Sequence, residues 1–252
     1  MNEIYKEDKW NNKKGVLVFL HYFGGSAESW KWVAEKLSND YHCVTLNLPG
    51  FGGAPPLKQL SIQGFAQHVQ EGLNSLGIKN FILIGHSMGG KIAMQIAAND
   101  LKRTVQQLIL IAPSPPGTEP ITAVERKRIL NHPNLKEAEK TIDNITIQPL
   151  TGEQYKLAVE TNLMSDDFTW KWWLLQGVNY SIAEKIIPLE LPITVLASED
   201  DPVMTFDIIK QRVMQVLEQA RLITIRKIGH LSPMEAPDWI AEQIRTIVHT
   251  EK

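Results

Sequence analysis

Ser87 stands in the run Gly85-His86-Ser87-Met88-Gly89, directly after the apolar stretch Phe81-Ile82-Leu83-Ile84. A serine in that place adds little to packing. The pattern G-x-S-x-G puts a hydroxyl on a sharp turn between a strand and a helix, where it can act as a nucleophile. Glycines two residues to either side lack the Cβ atoms that would clash in such a turn. A serine hydroxyl needs a base to take its proton, and the base needs an acid to hold its tautomer. Two later runs carry these residue types. Thr194-Val195-Leu196-Ala197-Ser198 leads into Glu199, Asp200 and Asp201, and Ile225-Arg226-Lys227-Ile228-Gly229 leads into His230. Nucleophile, acid and histidine follow in the chain order that this turn motif carries. The plain alternatives are a Gly-rich turn, a solvated acidic loop and a polar loop histidine.

Of the seven histidines, His230 alone combines a late position, a strand end and a following helix. His86 adjoins the serine and is expected to point away from it. His21 ends the first strand and is expected to shape the loop there through hydrogen bonds. His42, His68, His132 and His249 are expected at the surface or in structural roles.

The elements that must position these groups follow from periodicity. Val16–Leu20, Cys43–Leu48, Phe81–Ile84, Val105–Ala112, Ile193–Ala197 and Leu222–Ile228 read as strands, several of them continuously apolar. Between them, Ser29–Leu37, a run from Ile62 to Leu76, Lys91–Leu101 and Phe206–Leu217 read as helices, and a last helix starts near Pro237. Ile62, Phe65, Ala66, Val69, Leu73 and Leu76 recur at helical spacing, with Ser61 as N-cap and Gly77 as stop. Alternating strands and helices predict a mostly parallel sheet covered on both faces. The texture changes at Pro113-Ser114-Pro115-Pro116-Gly117, which cannot continue a strand. The expected organisation is a core of residues 1–113 and 191–252, with a helical insertion over 114–190.

Composition narrows the function classes. The 252 residues carry a formal net charge of -2, which gives no electrostatic case for nucleic acid or an anionic membrane. The charged start lacks the apolar core of a secretory signal, and no run reaches the length of a membrane span. A cytoplasmic protein is the expectation. The lone Cys43 allows no internal disulfide and is expected as a small core residue. No metal-ligand spacing, P-loop or dinucleotide fingerprint is present, so no cofactor is expected.

The chain resembles the α/β-hydrolase superfamily over nearly its whole length outside the insertion. The matching segments are His21-Tyr22-Phe23-Gly24-Gly25, Asn47-Leu48-Pro49-Gly50-Phe51-Gly52, the serine motif, Ser198 to Pro202, and Gly229-His230 followed by Glu235-Ala236-Pro237. The resemblance implies an α/β-hydrolase fold with a helical lid, Ser87 as nucleophile and His230 as base. In that family the acid segment commonly reads Gly-x-x-Asp, and this alignment selects Asp201 over Glu199 and Asp200. One oxyanion donor is expected at the amide after the nucleophile, Met88. The resemblance assigns the other to Phe23. Three positions depart from the family's usual residues: Tyr22 stands in place of Gly, Asn47 of Asp and Ser198 of Gly. Relatives that act as haloalkane dehalogenases or epoxide hydrolases place an aspartate where Ser87 stands.

The expected reaction is hydrolysis of a small or medium apolar ester, thioester or lactone through an acyl-enzyme. Tyr22, Trp170 and Trp173 are the expected substrate-binding side chains, with packing inside the lid as the plainer role for the tryptophans. A carbon–carbon bond hydrolase of diketone-type ring-cleavage products is a second reading. It would need a cation for a substrate carboxylate, with Arg126 and Arg128 as candidates. A non-catalytic ligand-binding member of the fold is the third.

Overall fold

The computed structural model describes residues 13–250; the N-terminal stretch considered above as a possible leader lies outside the described residues. Strands β1 (Val16–Leu20), β2 (His42–Leu46), β3 (Phe81–His86), β4 (Val105–Ile111), β5 (Ile193–Ser198) and β6 (Arg221–Ile225) form one sheet. Its order is β2-β1-β3-β4-β5-β6, and every pair is parallel. The register places Leu20 beside Gly85, His86 beside Ile111, Ile111 beside Leu196 and Ser198 beside Ile225. The carboxyl ends of these strands therefore share one edge of the sheet. The chain builds outward from β1 to β2, crosses back to β3, and then grows in the other direction. Crevices at such a reversal are where parallel sheets bind ligands.

Side chains alternate between the two faces, as pleating requires. Val18, Leu20, Leu83, Leu108 and Val195 pack on one face with helices α2 (Ile62–Ser75) and α3 (Met88–Asn99). Leu17, Phe19, Ile84, Ile109 and Leu196 pack on the other with α1 (Lys31–Leu37) and α11 (Pro237–Thr250). Helix α2 buries Ile62, Phe65, Ala66, Val69 and Leu73, and the Ser61 hydroxyl caps it by accepting from the Gly64 N–H.

Between β4 and β5 the chain forms α4 (Ala123–Ile129), α5 (Leu135–Ile145), α6 (Gly152–Met164), α7 (Asp167–Leu175) and the short α8 (Ala183–Ile186). Helices α5 and α6 bury Ala138, Ile142, Ala158 and Val159 against Tyr22, Leu231 and Met234. Trp170, Trp172 and Trp173 of α7 join the larger core cluster instead. Among the described residues, no helix is long and apolar enough to cross a membrane.

Four elements differ most from the sequence expectation. Helix α3 starts at Met88 rather than Lys91, because Gly89 and Gly90 belong to its first turn. The stretch from Ser29 opens as a 3-10 turn, Ala27–Trp30, before α1. The run after Phe206 holds one α-turn, α9 (Phe206–Ile208), and continues as a π-helix over Ile209–Met214. Strand β6 ends at Ile225, which leaves 226–230 free as a loop. Cys43 is half-buried on β2 rather than enclosed, yet burial still pushes its thiol up to about 12.

Leu83 is fully buried on the strand that carries Ser87, whereas Leu101 is 95% exposed. Leu83→Ala is expected to cost about 2–5 kcal/mol by the lost burial and residual cavity. Leu101→Ala is expected to stay within about 0.5 kcal/mol. Urea unfolding of the two variants beside the parent chain checks both; equal losses would contradict this core assignment.

Candidate active site

Ser87 has φ 52° and ψ -117°, a conformation that side chains rarely adopt. The turn is forced by close packing. A Cβ on Gly85 would lie 2.5 Å from the Gly89 carbonyl oxygen. A Cβ on Gly89 would lie 2.5 Å from the Leu20 oxygen and 2.6 Å from the His21 oxygen. The first turn of α3 is thus pressed against the end of β1. Ser87 is held from both sides, by its N–H to Ile111 O at 3.0 Å and by Ser114 N–H to its own carbonyl at 3.0 Å.

The loops after β5 and β6 bring two further side chains to this point. His230 Nε2 lies 2.9 Å from Ser87 Oγ, and His230 Nδ1 lies 2.8 Å from Asp201 Oδ2. Asp201 Oδ1 accepts the N–H groups of Val203 at 2.7 Å and Met204 at 3.0 Å, which fixes the carboxylate. The other two acids of the loop turn elsewhere. Asp200 accepts from Lys227 N–H, and Glu199 pairs with Arg226 at 2.6 Å. Ser87, Asp201 and His230 are all buried. Burial alone would lower the His230 pKa. The charge and hydrogen bond of Asp201, with smaller pulls from Glu119 and Glu235, overcome it and hold the imidazole above its ordinary value.

Two more histidines brace this arrangement. Burial pushes His21 down to about 4, so its ring is neutral near pH 7. Nδ1–H then donates to Tyr22 O at 2.7 Å, and Nε2 accepts from Leu48 N–H at 3.1 Å. His86 is held well below the ordinary imidazole range by burial and by His230. Its Nε2–H donates to the His230 backbone carbonyl at 2.8 Å rather than to the serine hydroxyl. The departures at Asn47 and Ser198 also have local partners. Asn47 accepts from Ala27 N–H at 2.7 Å and donates to Gly52 O at 3.1 Å. The Ser198 hydroxyl donates to Ile228 O at 2.5 Å, tying β5 to the histidine loop.

The remaining sequence-predicted residues separate. Phe23 lies in the turn after β1, with its ring 4.1 Å from Trp170 and 6.3 Å from Trp173 between centroids. Met88 is the first residue of α3, so its N–H has no partner within the helix. Tyr22 turns to the opposite side of the loop. Its ring packs on His86 and within the cluster of α5 and α6, away from the tryptophans. His132, expected at the surface or in a structural role, is stacked on Trp170 at 4.1 Å. Arg128 is paired with Glu125 at 2.5 Å and Glu137 at 2.9 Å.

Sequence reasoning did not identify two buried charges. Lys91, one turn past Ser87, donates to the carbonyls of Gly117 at 2.9 Å and Gly177 at 3.3 Å, and burial lowers it to about 8. The Glu119 carboxyl accepts from the Ser114 hydroxyl, and burial raises its pKa. Neither carries a sequence signal, because their partners are backbone groups or a single hydroxyl in distant or irregular segments. Among the described residues, no three His, Cys, Asp or Glu side chains are grouped to hold a metal ion.

Known proteins match this architecture. Over 244 residues the chain is 25% identical to the (E)-2-((N-methylformamido)methylene)succinate hydrolase of Acinetobacter baylyi, covering 93% of this chain and 90% of that protein. It is 34% identical over 99 residues to the dihydrolipoyllysine-residue acetyltransferase component of the acetoin cleaving system of Cupriavidus necator. That match takes in 39% of this chain but only 26% of the relative's length. Among solved structures, an esterase from Exiguobacterium antarcticum superposes with a TM-score of 0.85 at 14% identity, covering 94% of this chain and 92% of the other. A meta-cleavage product hydrolase from Pseudomonas fluorescens gives 0.79 at 18% identity, covering 96% and 93%. The family model described as the alpha/beta hydrolase family matches residues 17–243, a span that takes in Ser87, Asp201 and His230. With that match, the parallel sheet and the strained serine turn at its reversal point, the chain belongs to the alpha/beta hydrolase family.

Proposed function

We propose that the protein is a serine hydrolase of carboxylic esters with small to medium apolar acyl groups. The observation that carries this reading is the continuous contact from Ser87 Oγ through the His230 ring to Asp201, at 2.9 and 2.8 Å. His230 Nε2 takes the Ser87 proton as Oγ attacks the ester carbonyl, and Asp201 offsets the imidazolium charge. The developing oxyanion is received by the backbone N–H groups of Phe23 and Met88. Each such donor is worth roughly 3 kcal/mol in the transition state. His230 then protonates the leaving alcohol, activates a water and returns the acyl group as an acid.

Residues 114–190 act as the lid of this site. Support comes from α7, whose Trp170 and Trp173 face Phe23 across an apolar contact. An acyl chain entering beside Phe23 would meet aromatic carbon rather than charge. The carbon–carbon reading requires a cation for a substrate carboxylate. Arg128 is already neutralised by Glu125 and Glu137, which weakens it as that group. Arg126 remains, with its Nε buried and without a hydrogen-bond partner among the described residues. The binding-module reading leaves the buried, hydrogen-bonded relay without a use.

A series of p-nitrophenyl esters of rising chain length, run beside a fluorophosphonate probe, tests the assignment. Wild type is expected to turn over short and medium esters and to take the label at Ser87. Ser87→Ala is expected to lose about 10⁴-fold or more in kcat while keeping its fold by circular dichroism. Labelling without turnover of any ester would shift the reading to carbon–carbon cleavage.

Asp201→Asn is expected to lower kcat by about 10⁴-fold through the wrong histidine tautomer. Asp200→Asn, which loses only a backbone contact at Lys227, should lose far less. The opposite ranking in steady-state kinetics would move the acid role to position 200.

The pH profile follows from the raised His230 pKa. The base works only when neutral, so kcat/KM is expected to rise with pH through a midpoint above 6.5, the ordinary imidazole value. A midpoint below 6.5 in the wild-type pH–rate curve would contradict the Asp201 pairing.

A further inference from the structure

Glu235 belongs to the resemblance but makes no hydrogen bond to Ser87, Asp201 or the His230 ring. It closes the short helix α10 (Ser232–Glu235), five residues past His230. Its Oε2 accepts backbone N–H groups from two separate stretches. Gly229, the residue before His230, donates at 2.8 Å. Ile147 and Gln148, just past α5, donate at 2.9 and 2.8 Å. The other oxygen, Oε1, is buried with no hydrogen-bond partner, so these bonds all converge on one atom.

The same two stretches are joined elsewhere. His230 N–H donates to Ile145 O at 2.7 Å. Gln148 Nε2 donates to Lys227 O at 2.7 Å. The approach is close enough to require glycine at 229, where a Cβ would lie 2.6 Å from Ile145 O and 2.7 Å from Ile147 N. Hydrogen bonds from N–H groups to a carboxylate are roughly twice as strong as neutral ones. Glu235 is the only charged member of this joint among the bonds described.

We infer that Glu235 is a positioning residue that locks the His230 loop and the 145–148 turn of the helical segment into one unit, so that docking of the segment sets the reach of the base toward Ser87. This rests on the reading of His230 as base. The segment cannot lift at the 145–148 end without drawing the imidazole off the serine. Any opening of the lid must take place at its other contacts.

The test is hydrogen–deuterium exchange on the full chain and its Glu235→Gln, Glu235→Ala and Gly229→Ala variants, with ester kinetics on the same samples. In Glu235→Ala, residues 145–148 and 227–230 are expected to lose protection together, while β3 and β5 keep theirs. Misplacement of a catalytic group by about 1 Å costs about 100-fold. A fall in kcat of that size is expected, with KM little changed. Glu235→Gln keeps one acceptor oxygen and is expected to recover most of that loss. Gly229→Ala should loosen the same two stretches. If Glu235→Ala does not fold, the other two variants decide. Loosening of one stretch without the other would overturn the inference, as would joint loosening at wild-type kcat. A wild type that turns over no ester would overturn the proposed reaction, and exchange alone would then decide whether Glu235 joins the two stretches.

Discussion

Strands β1 and β3 pair in parallel with Leu20 beside Gly85, and Gly89 brings the start of α3 against the Leu20 and His21 carbonyls. The rest of the site is arranged around this approach. It sets how far the serine stands from the turn that follows β1, and it leaves no room for a side chain at 89. Two adjacent strands supply the Ser87 turn and the Phe23 turn, at the one place where the sheet reverses its direction of growth. Strands β5 and β6 then deliver an acid and a histidine to the same edge, because all the strands run parallel and these two end only two residues past the level of His86, the last residue of β3. Geometry that a catalytic relay needs thus follows from backbone pairing, before any side-chain contact is counted.

Electrostatics at this edge is a contest between burial and partners, and the outcome differs by residue. His21 and His86 have no carboxylate at hand, so burial wins and both are neutral donors to backbone carbonyls. His230 is equally enclosed, but the Asp201 carboxylate reverses the balance. The three imidazoles therefore occupy one small region with two different proton affinities. Lys91 and Glu119 extend the set of enclosed charges. Lys91 is held by two backbone carbonyls and Glu119 by the Ser114 hydroxyl, as burial of charge demands.

Much of this was legible in the sequence. The apolar runs marked the strands, and alternation with helices marked a parallel sheet. Ser61 and the spacing from Ile62 to Leu73 marked α2. Ser87, His230 and an acid after β5 were readable as residue types at strand ends. The distances joining them were not, since register sets those. Periodicity also failed wherever packing overrode propensity. Gly89 and Gly90 precede the expected helix start at Lys91 but form the first turn of α3, where a side chain at 89 would strike the Leu20 and His21 carbonyls and one at 90 would strike Pro113. Tyr22 read as a wall of the site but packs toward α5 and α6, a choice between two faces of a loop that no local pattern encodes. The roles of Lys91 and Glu235 lie in bonds to distant backbone groups, which leave no trace in neighbouring residues.

The left-handed backbone at Ser87 has a consequence for how such a chain evolves. A non-glycine residue held in a sparsely populated conformation costs about 1–3 kcal/mol, a sizeable share of a typical folding margin. Glycine would relieve that cost and remove the hydroxyl in the same step. On the proposed serine-hydrolase reading, selection for robustness and selection for chemistry therefore pull against each other at this single codon. A lineage released from the need for the reaction would drift away from serine first, with its architecture intact.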